Sequence, residues 1–266
     1  MVTTTILLTG ATDGLGRAVA DRLADDPDTV LIAHGRSAER LAALAAALAT
    51  RPARVLTVRA DLSVLAEVHN LADEVAGLTD HLTVLVNNAG VGYGERELTV
   101  DGNELRFAVN HLASFALTQR LLPLLAAGAP ARVVQVASLG QSPIDFEDLT
   151  LEHDYSGTRA YGVSKLAMVT AGFALASRLR AAEITVNSLH PGTYMPTKMV
   201  MDTIGYSVDS LETGVESVVH LVRDPALTGV TGRFYDRLRD ARASDQAYDP
   251  AVQQRLWEVS TSLTRS

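Results

Sequence analysis

Short, wholly apolar runs alternate along this chain with longer stretches whose apolar residues recur every three or four positions. Ile6-Leu7-Leu8 is the first run, halted by Thr9-Gly10, and Leu15, Val19 and Leu23 then mark one face of a helix. Val30–Ala33 precedes a predicted helix over 38–49, and Val55–Val58 precedes one over 64–78. Val84-Leu85-Val86 leads toward a long helix over 102–125, and Val133–Val136 toward irregular chain and a helix over 159–179. Ile184-Thr185-Val186 is the sixth run and Gly232-Arg233-Phe234-Tyr235 the seventh, before a terminal helix over 250–263. Such β-branched runs between amphipathic helices predict right-handed βαβ units and a parallel sheet. The runs show no strict polar alternation, as expected of strands covered by helices on both faces. The expectation is one α/β domain over 1–266, a doubly wound, seven-stranded parallel sheet flanked by helices.

Two segments, Gly140–Thr158 and Pro191–Ser207, read as irregular. Both follow strands, on the edge where ligands bind in such sheets. A substrate-loop region is expected over about 191–215. The first segment, with Phe146 and Leu149 for cover, is expected to wall a substrate pocket.

Composition narrows the function classes. The chain has 266 residues, 47% of them apolar and 20% charged, which suits a single well-packed domain. Its net charge of −8 argues against unaided binding to nucleic acid or anionic membranes, which need cationic patches. It contains no cysteine, so disulfides and thiolate zinc sites are excluded, and no metal site is expected. The N-terminus lacks a cationic start followed by a long apolar run, and no stretch approaches the length of a membrane span. These features lead to the expectation of a cytoplasmic protein with no membrane or nucleic-acid partner.

Candidate chemistry lies where strands meet helices. Thr9-Gly10-Ala11-Thr12-Asp13-Gly14-Leu15-Gly16 joins the first strand to the first helix with G-x-x-x-G-x-G spacing. Glycines there let the backbone approach a pyrophosphate at the positive end of a helix. The alternative is a plain Gly-rich turn. Asp13 is an awkward neighbour for phosphates unless it turns away. Strand two ends in Ala33-His34-Gly35-Arg36-Ser37. NAD sites commonly carry Asp or Glu here, whereas a guanidinium at Arg36 suits a 2′-phosphate, so NADP(H) is expected over NAD(H). The bland reading is a solvated Arg at a helix start. Asp61, followed by Leu62 and Ser63, is placed either to accept from an adenine amino group or to cap a helix. Asn87-Asn88-Ala89-Gly90 gives a ribose room against the backbone, or forms an ordinary turn.

Tyr161-Gly-Val-Ser-Lys165 places a phenol and an ammonium one helical turn apart. A neighbouring cation is expected to lower the phenol pKa toward useful acid/base chemistry. Ser138, ending strand five, can hold a substrate oxygen or make a local turn bond. Asn110, in the long helix, can hold a water near Lys165 or be a buried, satisfied amide. His111 reads as structural.

Taken in this order, these motifs resemble the short-chain dehydrogenase/reductase family over nearly the whole chain. The resemblance implies a Rossmann fold, a catalytic tetrad of Asn110, Ser138, Tyr161 and Lys165, and an alcohol or carbonyl substrate. It implies that Tyr161 protonates the carbonyl oxygen, Lys165 binds the nicotinamide ribose, Ser138 orients the substrate and Asn110 supports a relay water. His190-Pro191-Gly192-Thr193 looks like the family's nicotinamide-contacting turn, with Tyr194 near the carboxamide and Thr193 or Thr197 adding a hydroxyl. Pro196 looks inserted relative to the usual spacing. Val109-Asn110-His111-Leu112, Ser164-Lys165-Leu166 and Leu189-His190-Pro191-Gly192 resemble the retinol dehydrogenase branch, as does the long stretch between Ser138 and Tyr161. The family also implies a homodimer or homotetramer through the helices over 102–125 and 159–179. A redox-neutral epimerase or cyclase, or a non-catalytic cofactor sensor, remains an alternative on the same scaffold.

Overall fold

The computed structural model describes residues 3–265. Its first half runs β1 (Thr4–Leu8), α1 (Gly14–Leu23), β2 (Thr29–Gly35), α2 (Ala38–Leu48), β3 (Arg54–Arg59), α3 (Leu65–Leu78) and β4 (Val84–Asn87). A π-helical turn, Phe107–Leu112, then passes directly into α4 (Ala113–Ala127). There follow β5 (Ala131–Val136), α5 (Gly157–Ala176), β6 (Ile184–His190), α6 (Lys198–Thr203) and α7 (Leu211–Arg223). The chain closes with β7 (Phe234–Asp236), β8 (Arg239–Ala241) and α8 (Pro250–Leu263).

The strand order is β3-β2-β1-β4-β5-β6-β7-β8, with β1 to β7 parallel and β8 antiparallel to β7. The sheet therefore has eight strands rather than seven. The extra strand is a three-residue hairpin return, too short and too charged to leave an apolar run in the sequence. The order reverses between β1 and β4, so a crevice opens at their C-terminal ends. Side chains alternate across β1. Ile6 and Leu8 enter the core under α1, α2 and α7, whereas Leu7 enters the core under α3 and α4. Both faces are apolar, which is why the strands read as unbroken runs. No described helix is long and apolar enough to cross a membrane.

Two boundaries moved for physical reasons. The helix predicted from Gly102 begins only at Leu105, just ahead of the π-helical turn, because residues 98–104 form a small turn instead. Thr99 and Asn103 pair through their backbones, and the Glu104 carboxylate caps the Phe107 N–H at 2.9 Å. Helix α5 starts at Gly157, with Ser156 accepting from Arg159 N, and ends at Ala176.

Every residue of α5 from Gly162 to Ala176 is buried. Its outer face is closed by α8 of the same chain. Trp257 packs edge-on against Phe115 with centroids 4.9 Å apart, and the Arg178 guanidinium stacks on the Trp257 ring at 4.2 Å. His111 Nε2 meets Ser260 Oγ at 2.8 Å. His111 is thus a structural residue, pushed down to about 3 by burial and neutral at physiological pH. Helix α8 thus packs on α5 and on the start of α4 within the chain.

Candidate active site

A cavity of about 740 Å³ opens at the C-terminal edge of the sheet, over the reversal between β1 and β4. Its first wall is the glycine turn. Gly10 (φ 67°) and Gly14 (φ 49°) hold left-handed backbone. A Cβ on Gly16 would lie 2.0 Å from the Gly10 carbonyl oxygen. Thr9 Oγ1 accepts the N–H groups of Asn88 and Ala89, each at 3.0 Å. Asn88 Nδ2 donates to Thr9 O at 2.8 Å, so this amide ties the end of β1 to the end of β4. Leu15, Thr12, Gly14 and Gly90 line the same wall.

Asp13 caps α1 by accepting from Gly14 N at 2.8 Å, and its other oxygen receives Arg40 Nη1 at 2.9 Å. The awkward carboxylate is therefore neutralised by a residue that the sequence reading missed. Arg40 lies in the first turn of α2 and Arg36 just before its Ser37 cap, and both line the cavity. Arg36 is 75% exposed at the cavity rim and sits 3.9 Å from Asp61. Asp61 accepts from Ser63 N and Oγ, at 2.9 and 2.7 Å. It does not cap α3. That duty falls to Asp101, whose Oδ2 receives Leu65 N at 2.9 Å. Leu62 lines the cavity beside Asp61. His34 was also missed. Its Nδ1 accepts from Gly10 N at 3.3 Å and its Nε2 meets Ala60 O at 3.1 Å, so it props the glycine turn. Burial pushes its pKa down to about 4 and keeps it neutral.

The cavity floor gathers the four proposed catalytic residues. Lys165 is only 5% exposed, and its Nζ donates to Val136 O at 2.9 Å. Val136 O is the one acceptor the described chain gives this ammonium, so the remaining N–H groups are available to the cavity. Burial pushes the Lys165 pKa down to about 8, which leaves it largely charged at neutral pH. Tyr161 and Ser138 meet at the cavity floor beside Gly140, where a Cβ would lie 3.4 Å from Ser138 Oγ and 3.9 Å from Tyr161 Cε1. Ser138 Oγ accepts from Gly140 N at 3.0 Å, so the turn-bond reading and the site reading of this serine both hold.

The expectation that Lys165 lowers the Tyr161 pKa fails in the protein alone. Burial pushes the phenol up to about 12, offset only in part by the neighbouring Ser138 side chain, and Lys165 Nζ stands 5.7 Å from the ring centroid. Loss of hydration outweighs a cation at that distance. Tyr161 is thus a protonated donor at neutral pH. Tyr93, another missed residue, packs edge-on against it at 5.2 Å. No periodicity or spacing in the sequence marks Tyr93.

Asn110 is fully buried in the π-helical turn, a local widening often found at functional sites. Its Oδ1 accepts Val91 N at 2.8 Å, and its Nδ2 donates to Val91 O and Ser164 Oγ at 3.1 and 2.9 Å. The buried, satisfied amide expected as the alternative is what the geometry displays. It pins the loop after β4 to α5, and a Cβ on Gly90 would lie 3.1 Å from Asn110 Oδ1 and 3.5 Å from Lys165 Nζ.

The remaining wall comes from the segment after β6. Pro191, Gly192, Thr193 and Tyr194 line the cavity, but the Thr193 N–H is taken by Asp209 Oδ2 at 2.6 Å. Thr197 faces the glycine turn despite Pro196, since a Cβ on Gly14 would lie 3.2 Å from Thr197 Cγ2. Met199 and Ile204 add apolar lining. The stretch after Gly140 does not wall the cavity. Ile144 and Phe146 pack instead toward α5 and α8, with Ile144 paired through its backbone to the Gln246 side chain.

These residues fit a dinucleotide. A cradle too tight for any Cβ lies at one end, and a buried ammonium with open donors lies at the other. Arginines stand at the rim where an adenosine phosphate would reach.

The family model described as short chain dehydrogenase matches residues 4–204. Retinol dehydrogenase 14 of Mus musculus is 32% identical over 282 residues, covering 96% of this chain and 84% of the relative. A crystal structure of an uncharacterized protein from Mycobacterium Paratuberculosis is 30% identical, covers 100% of this chain and 94% of its own, and has a TM-score of 0.81. The Pseudomonas aeruginosa RhlG/NADP active-site complex is 27% identical, covers 89% of this chain and 95% of its own, and has a TM-score of 0.71.

Proposed function

Because the chain belongs to the short-chain dehydrogenase family, we propose that it moves hydride between NADP(H) and the alcohol or carbonyl carbon of a small molecule. The observation that carries this reading is that Tyr161 and Ser138 flank Gly140 beside a buried Lys165, on the floor of the cavity that the glycine turn opens. When bound, the nicotinamide supplies or accepts the hydride. Ser138 holds the substrate oxygen against the phenol. Tyr161, protonated at neutral pH, gives its proton to that oxygen in the reducing direction. Lys165 offers its free N–H groups to ribose hydroxyls and keeps a positive charge near the phenol. Tyr93, Val91, Met199 and Ile204 bound a mostly apolar substrate end, which favours an apolar aldehyde or ketone.

The choice of NADP(H) rests on Arg36 and Arg40, with no carboxylate free to receive an adenosine ribose at the end of β2. Titrating the protein with NADPH and NADH tests it. NADPH is expected to bind at least about tenfold more tightly, the scale of one charge-assisted hydrogen bond at a half-solvated site. Arg36→Ala should remove most of that difference without weakening NADH. Equal affinities before and after the substitution would overturn the assignment.

A further inference from the structure

Two residues that are not glycine hold left-handed backbone on either side of one ion pair. Arg237 (φ 57°) fills the first place of the two-residue turn joining β7 to β8. Hairpin turns that match strand twist ask for glycine or asparagine there. Tyr194 (φ 43°) lies in the turn after β6. Such backbone persists only where its surroundings impose it, and it gathers at functional sites.

The Arg237 side chain reaches from the hairpin to that turn. Its Nε donates to Asp209 Oδ2 at 3.1 Å, and its Nη2 pairs with the same carboxylate. Nη1 donates to Asp236 Oδ1 at 2.7 Å, and Nη2 also reaches Thr193 Oγ1 at 3.4 Å. Asp209 accepts the Thr193 N–H at 2.6 Å and returns its own N–H to Thr193 O at 2.9 Å. Val208 N donates to Tyr194 O at 3.0 Å. The two ends of the segment 193–209 are thereby zipped together under a single guanidinium.

What runs between those ends straps the cavity from end to end. Thr197 lies against Gly14 at the glycine turn, and a Cβ on Gly92 would meet Met199 Cγ at 2.7 Å. Gly92 is next to Tyr93, which packs on Tyr161.

We propose that Arg237 is a positioning residue whose ion pair with Asp209 pins the base of a lid, residues 194–208, across the cofactor and substrate cavity. It touches none of the reacting atoms. Glycine at position 237 would relax the turn and delete the clamp, so the two roles of the residue separate experimentally. The assignment rests on the hydride-transfer reading only for the step that the lid serves.

The test compares the full chain with Arg237→Gly and Arg237→Lys. Three readouts are taken: NADPH affinity, thermal midpoint, and amide hydrogen exchange at Thr193 and Asp209 in nucleotide-free protein. Arg237→Gly is expected to leave the midpoint within a few degrees of wild type, relief of the strained turn offsetting the lost ion pair, to weaken NADPH binding about tenfold, and to speed exchange at those two amides. Arg237→Lys should recover part of both losses. Wild-type affinity and exchange in Arg237→Gly would overturn the clamp, as would a fall in midpoint with exchange accelerated throughout the chain. A wild-type protein that binds no NADPH would defeat the functional reading instead, and the exchange measurement would still decide the clamp.

Discussion

Tyr161→Phe is expected to lower turnover of a carbonyl substrate by about a thousandfold while leaving NADPH affinity within about twofold of wild type, since a positioned proton donor is worth 10²–10⁴ in rate. The ring keeps its edge contact with Tyr93, because that contact uses no hydroxyl. Lys165 keeps its bond to Val136 O for the same reason. The one group removed is the phenol hydroxyl, whose pKa is pushed up to about 12 by burial. Steady-state kinetics beside a fluorescence titration of NADPH give both quantities. Unchanged turnover would remove Tyr161 from the mechanism.

Gly16→Ala carries the second large effect, and it falls on binding. The new methyl would stand 2.0 Å from Gly10 O and 2.4 Å from Asn88 Nδ2. The first of these is backbone held by His34 at its N–H and by Asn88 Nδ2 at its carbonyl, so the turn itself must give way. Overpacking of this kind costs about 1–3 kcal/mol, or roughly 3–10 °C of thermal midpoint for a chain of this size. The displaced turn should also lose its approach to a pyrophosphate, weakening NADPH by about a hundredfold, as expected when several backbone donors move together. Gly77→Ala in α3, where nothing lies within 4 Å, is the matched control and should leave affinity unchanged. Equal NADPH affinity in the two variants would show that the glycine turn does not face the cofactor.

What was legible in the sequence was what local pattern determines. The runs at Ile6–Leu8 and Val133–Val136 could only be strands buried on both faces, and their spacing required helical crossovers. Thr9–Gly16 and Tyr161–Lys165 each put their chemistry within one turn of chain, so their spacing carried their geometry. The misses share a different cause. Asn110 is held by Val91 and Ser164, one on each side of it in the fold, and helical periodicity carries no trace of either. Strand β8 is three residues of Arg, Asp and Ala, whose pairing depends on the hairpin at Arg237. The stretch after Gly140 was directed by Gln246 and α8, more than a hundred residues away. His34 and Asp209 act on backbone groups, and Arg40 on the Asp13 carboxylate, all brought near only by the fold. The raised phenol pKa likewise depends on how much water the folded cavity excludes, which residue spacing does not encode.

The central claim, that this cavity joins a nicotinamide to a carbonyl carbon through Tyr161, is tested most directly by following the hydride itself. Incubation with NADPH deuterated at C4, against a panel of apolar aldehydes and ketones, is read by mass spectrometry. The account predicts one deuterium on the carbinol carbon of the product, with one NADPH oxidised per alcohol formed, in wild type and not in Tyr161→Phe. Product that carries no label, or that forms without loss of NADPH, would contradict it.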